Sequence, residues 1–124
     1  MTANLLSISD LTSDEILYIV DQSANHRVKS TVGSQPLLGK SVALLFEKPS
    51  LRTKVSFSKA IYELGGHSIF LGPTEVGLGD REPVEDVAQV LSRYVSAIVA
   101  RVNHHSTLER IAKFASIPVI NALS

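Results

Sequence analysis

Apolar residues recur along the chain in two alternating rhythms: a helical one of about 3.6 residues, and short unbroken runs that suit buried strands. Thr12 and Glu15 have the spacing of a capping box, and Ile16, Val20, Ala24 and Val28 follow at helical intervals, so a first helix is predicted over residues 12–29. Residues 42–46 form an apolar run between Gly39 and Pro49, the pattern of a strand covered on both faces. From Thr53 a second helix presents Phe57, Ala60, Ile61 and Leu64 on one side, and Gly65 with Gly66 can take the left-handed turn that stops it. Residues 68–71 predict a second strand. Residues 72–83 hold three glycines and two prolines, which predicts a mobile surface loop. Pro83 suits the first turn of a third helix carrying Val84, Val87, Ala88 and Leu91, and residues 97–102 make a third strand. Ser106 and Glu109 repeat the capping-box chemistry, Leu108, Ile111, Ala112 and Ala115 continue as a fourth helix, and a fourth strand opens at residues 118–121.

Strands alternating with crossover helices imply an α/β fold: a four-stranded parallel sheet of order 2-1-3-4, with right-handed connections and helices on both faces. The 124 residues read as one domain, residues 1–124, without repeats or linkers. The fourth strand is followed by only three residues, so an incomplete domain is expected. Composition then narrows the function classes. Twelve basic and twelve acidic side chains balance, which leaves no basic stripe for nucleic acid. Cysteine is absent, which removes disulfides and thiolate metal sites and suits a reducing, cytoplasmic setting. No signal or transit peptide is visible, and no apolar run approaches the ~20 residues of a membrane span. A mean hydropathy of +0.18 suggests apolar surface that a further segment or a partner covers.

Three motifs look chemical and are not. The run from Gly33 to Gly39, Lys40 and Ser41 resembles a phosphate loop, but it has five residues between the glycines and precedes its strand, whereas such a loop follows a strand and opens a helix. Gly77 and Gly79 lack the third glycine of a dinucleotide fingerprint. His104 and His105 are sequence neighbours with no carboxylate pair to complete a metal set, so they read as exposed loop histidines. Residues 46–54 are different. They occupy the turn from the first strand into the second helix, where free amides carry about half a positive charge, and adding Arg52 and Lys54 there costs about 0.3–1 kcal/mol per cation unless an anion is bound. Ser50 and Thr53 can donate hydroxyl hydrogens, and the Arg52 guanidinium can grip two oxygens at once. Local chemistry alone leaves a phosphate cradle and a solvated basic turn, with Ser50 as an ordinary N-cap, both open. Arg101, directly after the third apolar run, shifts the balance: in the order 2-1-3-4 the loops after strands one and three border one crevice, and Arg52 and Arg101 then face one ligand.

Residues 46–57, Phe-Glu-Lys-Pro-Ser-Leu-Arg-Thr-Lys-Val-Ser-Phe, resemble the carbamoyl-phosphate motif Ser-Thr-Arg-Thr-Arg of the aspartate/ornithine carbamoyltransferase family, its ornithine branch in particular. Residues 64–67, Leu78 and Gly79 with Glu82, and residues 87–93, 100–102 and 116–121 match that family's amino-terminal domain in order. The resemblance implies that Ser50, Arg52, Thr53 and Arg101 bind carbamoyl phosphate with the backbone of Leu51, and that Arg52, Thr53 and Arg101 stabilise the transition state. Leu51 stands where the motif has Thr, and Lys54, a point charge, where it has the forked Arg. The implied reaction transfers a carbamoyl group to ornithine, giving citrulline and phosphate, in arginine biosynthesis. No cofactor and no metal are implied, and the partners are carbamoyl phosphate and an amino-acid acceptor. The family is built on homotrimers with sites at subunit boundaries, and residues 72–83 resemble the segment that reaches a neighbour's site, with Arg81 and Glu82 as candidate contributors. The family's His-Pro-x-Gln segment and its amino-acid-binding domain are expected beyond Ser124, so turnover is not expected of these residues alone. An aspartate or other acceptor, and a non-catalytic anion-binding or assembly role, are the rival readings.

Overall fold

The computed structural model describes residues 4–29 and 35–124. Helix α1 (Ser13–Lys29) is followed by β1 (Ser41–Phe46), α2 (Leu51–Glu63), β2 (His67–Leu71), the short α3 (Pro73–Val76), α4 (Val84–Tyr94), β3 (Ala97–Arg101), α5 (His105–Phe114) and β4 (Val119–Asn121). The strands form one parallel sheet of order β2-β1-β3-β4, as the alternation predicted. Successive side chains of a strand point to opposite faces, and the core divides accordingly. Ala43, Leu45, Ile98, Ala100 and Val119 pack against Val84 and Ala88 of α4 and Leu108 and Ile111 of α5. On the other face Val42, Leu44, Phe46 and Val99 meet Ile61 of α2. Each fully buried aliphatic side chain here contributes about 1.5–3 kcal/mol relative to exposure.

Residues 4–6 lie beside β4. Leu5 bridges Ile120 in parallel, its amide donates to the Val119 carbonyl at 2.9 Å, and the Asn121 amide donates to the Leu5 carbonyl at 2.8 Å. The Asn4 side-chain oxygen accepts from the Val119 amide at 2.9 Å, and the Asn121 side-chain amide donates to the Leu6 carbonyl at 2.9 Å.

Several expectations change. The capping box of α1 forms, with the Thr12 amide donating to Glu15 at 2.9 Å and the Glu15 amide donating to the Thr12 hydroxyl at 3.1 Å. Its expected inward face is not buried: Val20 is 56% exposed, Ala24 is exposed, and Ile16 is half-buried. Periodicity sets which residues share a side of a helix; it does not supply a surface for that side to meet. The side chain of Val28 lies outside the described residues. Helix α2 starts at Leu51 rather than Thr53, so the whole basic run lies in its first turn. No capping box forms on α5: the helix begins two residues earlier than that pairing requires, with His104 at the N-cap and no side-chain cap bond. Residues 72–83 are folded rather than an irregular loop. Pro73 sits in the first turn of α3, Gly77 ends α3 at φ 46°, and Val76 is buried at 6% exposure. The Arg81 guanidinium donates to the Thr74 carbonyl at 2.9 Å and the Gly79 amide to the Glu82 carbonyl at 2.8 Å, which satisfies backbone groups that a glycine-rich stretch would otherwise leave to water.

Candidate anion-binding site at the strand tips

Chain order places the site. β1 leads to β2 on one side, and the chain then crosses back to β3 on the other, so the carboxyl ends of β1 and β3 flank the point where strand order reverses. Phe46 and Arg101 are paired at those ends. The chain leaving Phe46 turns through extended Ser50, at φ −160° and ψ 104°, and enters α2. The Lys54 amide makes the first helical bond, to the Ser50 carbonyl at 3.1 Å. The amides of Leu51, Arg52 and Thr53 precede that bond and have no acceptor among the described residues. The Ser50 hydroxyl makes no capping bond, and no acidic residue lies in the first turn. A helix start with free amides, a free hydroxyl and no carboxylate is poised for an anion.

Arg101 approaches this helix start from β3. Its Nη1 donates to the Thr53 hydroxyl at 3.4 Å and to the Ala122 carbonyl at 3.3 Å, both long for such bonds. Its Nε is buried and has no partner among the described residues, and no carboxylate there pairs with the guanidinium. A buried donor left unmatched costs about 1–3 kcal/mol, and a bound oxyanion would remove that cost. Leu123, at φ 118°, bends the chain past Arg101 in a conformation that side chains disfavour. The Leu123 carbonyl accepts from the Val102 amide at 3.1 Å, and the Leu123 amide donates to the Asn121 side chain at 2.8 Å.

Ser50, Leu51, Thr53 and Arg101 therefore gather at one place, and Arg52 does not join them. Its side chain is exposed along the outer side of α2, in a groove with Val55, Ser56 and Lys59, and no hydrogen bond links it to Arg101. Adjacent residues of a helix diverge by about 100° around its axis, which separates Arg52 from Thr53. Lys54 is also engaged elsewhere: its Nζ lies 3.8 Å from the centre of the Phe70 ring, which in turn meets Phe46 edge-on at 5.4 Å. Arg81 closes its own loop, and Glu82 is exposed. His105 Nδ1 pairs with the Ser124 hydroxyl at 2.7 Å, and among the described residues no group of three or more His, Cys, Asp or Glu could hold a metal ion. Gly33 lies outside the described residues, and Lys40 and Ser41 lead into a strand rather than a helix. The Ala122 carbonyl and the Phe70 ring were missed by sequence reasoning. The first carries no side-chain signal, and the second reads as an ordinary apolar strand residue.

The family model described as the aspartate/ornithine carbamoyltransferase, carbamoyl-P binding domain, matches residues 3–124. The chain is 48% identical over 120 residues to an ornithine carbamoyltransferase of Methanococcus maripaludis, spanning 97% of this chain and 39% of that protein. It superposes with a TM-score of 0.93 and 43% identity on an ornithine carbamoyltransferase from Pyrococcus furiosus, covering 98% of this chain and 39% of that one. An anabolic ornithine carbamoyltransferase from Campylobacter jejuni gives a TM-score of 0.93 at 38% identity, over 100% of this chain and 40% of the other.

Proposed function

Because the chain belongs to the aspartate/ornithine carbamoyltransferase family, matching its carbamoyl-phosphate-binding domain over residues 3–124, we propose that it holds carbamoyl phosphate for transfer of the carbamoyl group to ornithine, giving citrulline and phosphate. One observation carries the reading: Arg101, free of any described carboxylate and with Nε unmatched, hooks Thr53 at an α2 start whose amides are open. In the reaction the amine attacks the carbonyl carbon, and negative charge grows on the carbonyl oxygen and the departing phosphate. The α2 amides, Ser50, Thr53 and Arg101 are donors fixed before the charge appears, which stabilises the transition state more than the ground state. Arg52, exposed and uncommitted, closes onto the phosphate when it arrives.

Relatives at 48% identity that carry the ornithine name favour that acceptor over aspartate. The chain spans 39% of the length of such a relative, so the amino-acid site and the completed reaction are assigned to the whole protein. A homotrimer, a cytoplasmic setting and a place in arginine biosynthesis belong to the same proposal and rest on the family resemblance. Among the described residues no helix is long and apolar enough to cross a membrane. Calorimetric titration tests the reading. Carbamoyl phosphate is expected to bind well above inorganic phosphate and to lose at least tenfold in affinity with Arg101→Ala. Equal binding of the two supports a general anion module, and binding of neither supports an assembly role.

A further inference from the structure

The carbonyl of Arg101, the amide of Val102 and the amide of Asn103 are each taken by a partner: the Glu47 amide at 2.8 Å, the Leu123 carbonyl at 3.1 Å and the Glu47 carboxylate at 3.0 Å. Glu47 thus grips the chain leaving β3 on both sides of Val102, once through its backbone and once through its side chain. The backbone arm is the closing bond of the β1–β3 ladder, at the Phe46–Arg101 pair, and is open to any residue except proline. The side-chain arm needs an acceptor of this length.

The placement is otherwise costly. Glu47 makes no ion pair among the described residues, and it follows β1 directly, at the mouth of a site whose ligand is an anion. A carboxylate there opposes anion binding by charge. A charge-assisted bond to a backbone amide is about twice as strong as a neutral one, which gives the carboxylate a use that offsets the repulsion. What it secures is the direction in which the Arg101 side chain, two residues back, leaves the strand. A guanidinium held by two long hydrogen bonds, at 3.4 and 3.3 Å, does not fix its own backbone.

We infer that Glu47 is a positioning residue: its carboxylate fixes the turn after β3 and thereby holds the Arg101 guanidinium against Thr53. The inference deepens the carbamoyl-phosphate reading and rests on it. Its test uses the full chain with Glu47→Ala, Glu47→Gln and Glu47→Asp, which keeps the charge but loses the reach. In Glu47→Ala and Glu47→Asp, exchange of the Asn103 amide is expected to quicken at least about tenfold, with a shifted Arg101 Nε–H resonance and unchanged protection at Leu108 in the core. Glu47→Gln is expected to stay within about twofold of the unaltered chain, because an amide oxygen can accept the same bond. Carbamoyl phosphate is expected to bind about fivefold more weakly to Glu47→Ala, and no more weakly still when Arg101→Ala is already present. Unchanged Asn103 exchange in Glu47→Ala overturns the inference, as does equal weakening with and without Arg101. If the unaltered chain binds no carbamoyl phosphate while the Asn103 and Arg101 signals respond as described, the functional reading fails and the positioning role stands.

Discussion

Arg52 and Arg101 are both arginines within reach of one helix start, yet they are prepared differently. Arg101 is hooked to Thr53 before any ligand arrives, and Arg52 is exposed along α2. Loss of a single preorganised donor commonly costs on the order of 3 kcal/mol in the transition state, so Arg52→Ala in a full-length enzyme built on this domain should lower turnover a hundredfold or more. Because Arg52 has no hydrogen-bond or ion-pair partner among the described residues, its removal should shift the thermal midpoint by less than about 1 °C. A melting curve beside a steady-state assay checks both. Lys54 is the contrasting case. Its ammonium rests on Phe70, so Lys54→Met should cost about 0.5–1 kcal/mol in denaturant unfolding, and Lys54→Arg should recover it. A fall in carbamoyl-phosphate affinity of tenfold or more in Lys54→Met would return Lys54 to the phosphate.

Elements show where sequence reasoning succeeds and where it stops. The central strands were legible because a parallel strand covered on both faces is continuously apolar, and residues 41–46 and 97–101 carry that signal, whereas β2 and β4 at the sheet edges are only partly buried. The start of α2 was misplaced by two residues because Leu51 and Arg52 sit in a run that reads equally as turn or helix, and only backbone geometry separates them. Ser106 and Glu109 have the capping-box spacing, but capping depends on which residue leaves the helix, and here that residue is His104. The candidate site was legible in the strand-tip position of Thr53 and Arg101, while the path of each side chain, Arg52 above all, was not. Helix energetics follow the same division. The Thr12 backbone amide, and then its hydroxyl, hold the Glu15 carboxyl below its ordinary 4.5, and the Arg110 guanidinium does the same for Glu85 across α4 and α5. Both shifts are downward, so the stabilisation is complete above the ordinary carboxylate value and is lost as pH falls below it and through the lowered one. The thermal midpoint should therefore decline below about pH 4.5, less steeply in Glu85→Gln, as a pH series of melting curves would register.

At the scale of the molecule, zero formal charge leaves no long-range field to draw in an anion, so attraction depends on the few donors at the strand tips. Raising salt from ~0.05 to ~0.5 M should weaken carbamoyl-phosphate binding only severalfold, and a salt slope steeper than one charge would point to a wider basic surface. The packing is uneven as well: the face under α4 and α5 holds the larger buried cluster, and Leu108→Ala there should cost about 2–5 kcal/mol in chemical denaturation. The stitch between residues 4–6 and β4 has a kinetic consequence. It joins positions 115 apart, so the loop it closes encompasses nearly every other contact in the protein. Such a closure forms late, after the local helices and the β1–β3 pair have shortened the distance to be spanned. During synthesis the segment around Leu5 must then wait, its hydrogen-bonding groups in water, until Ile120 has left the ribosome.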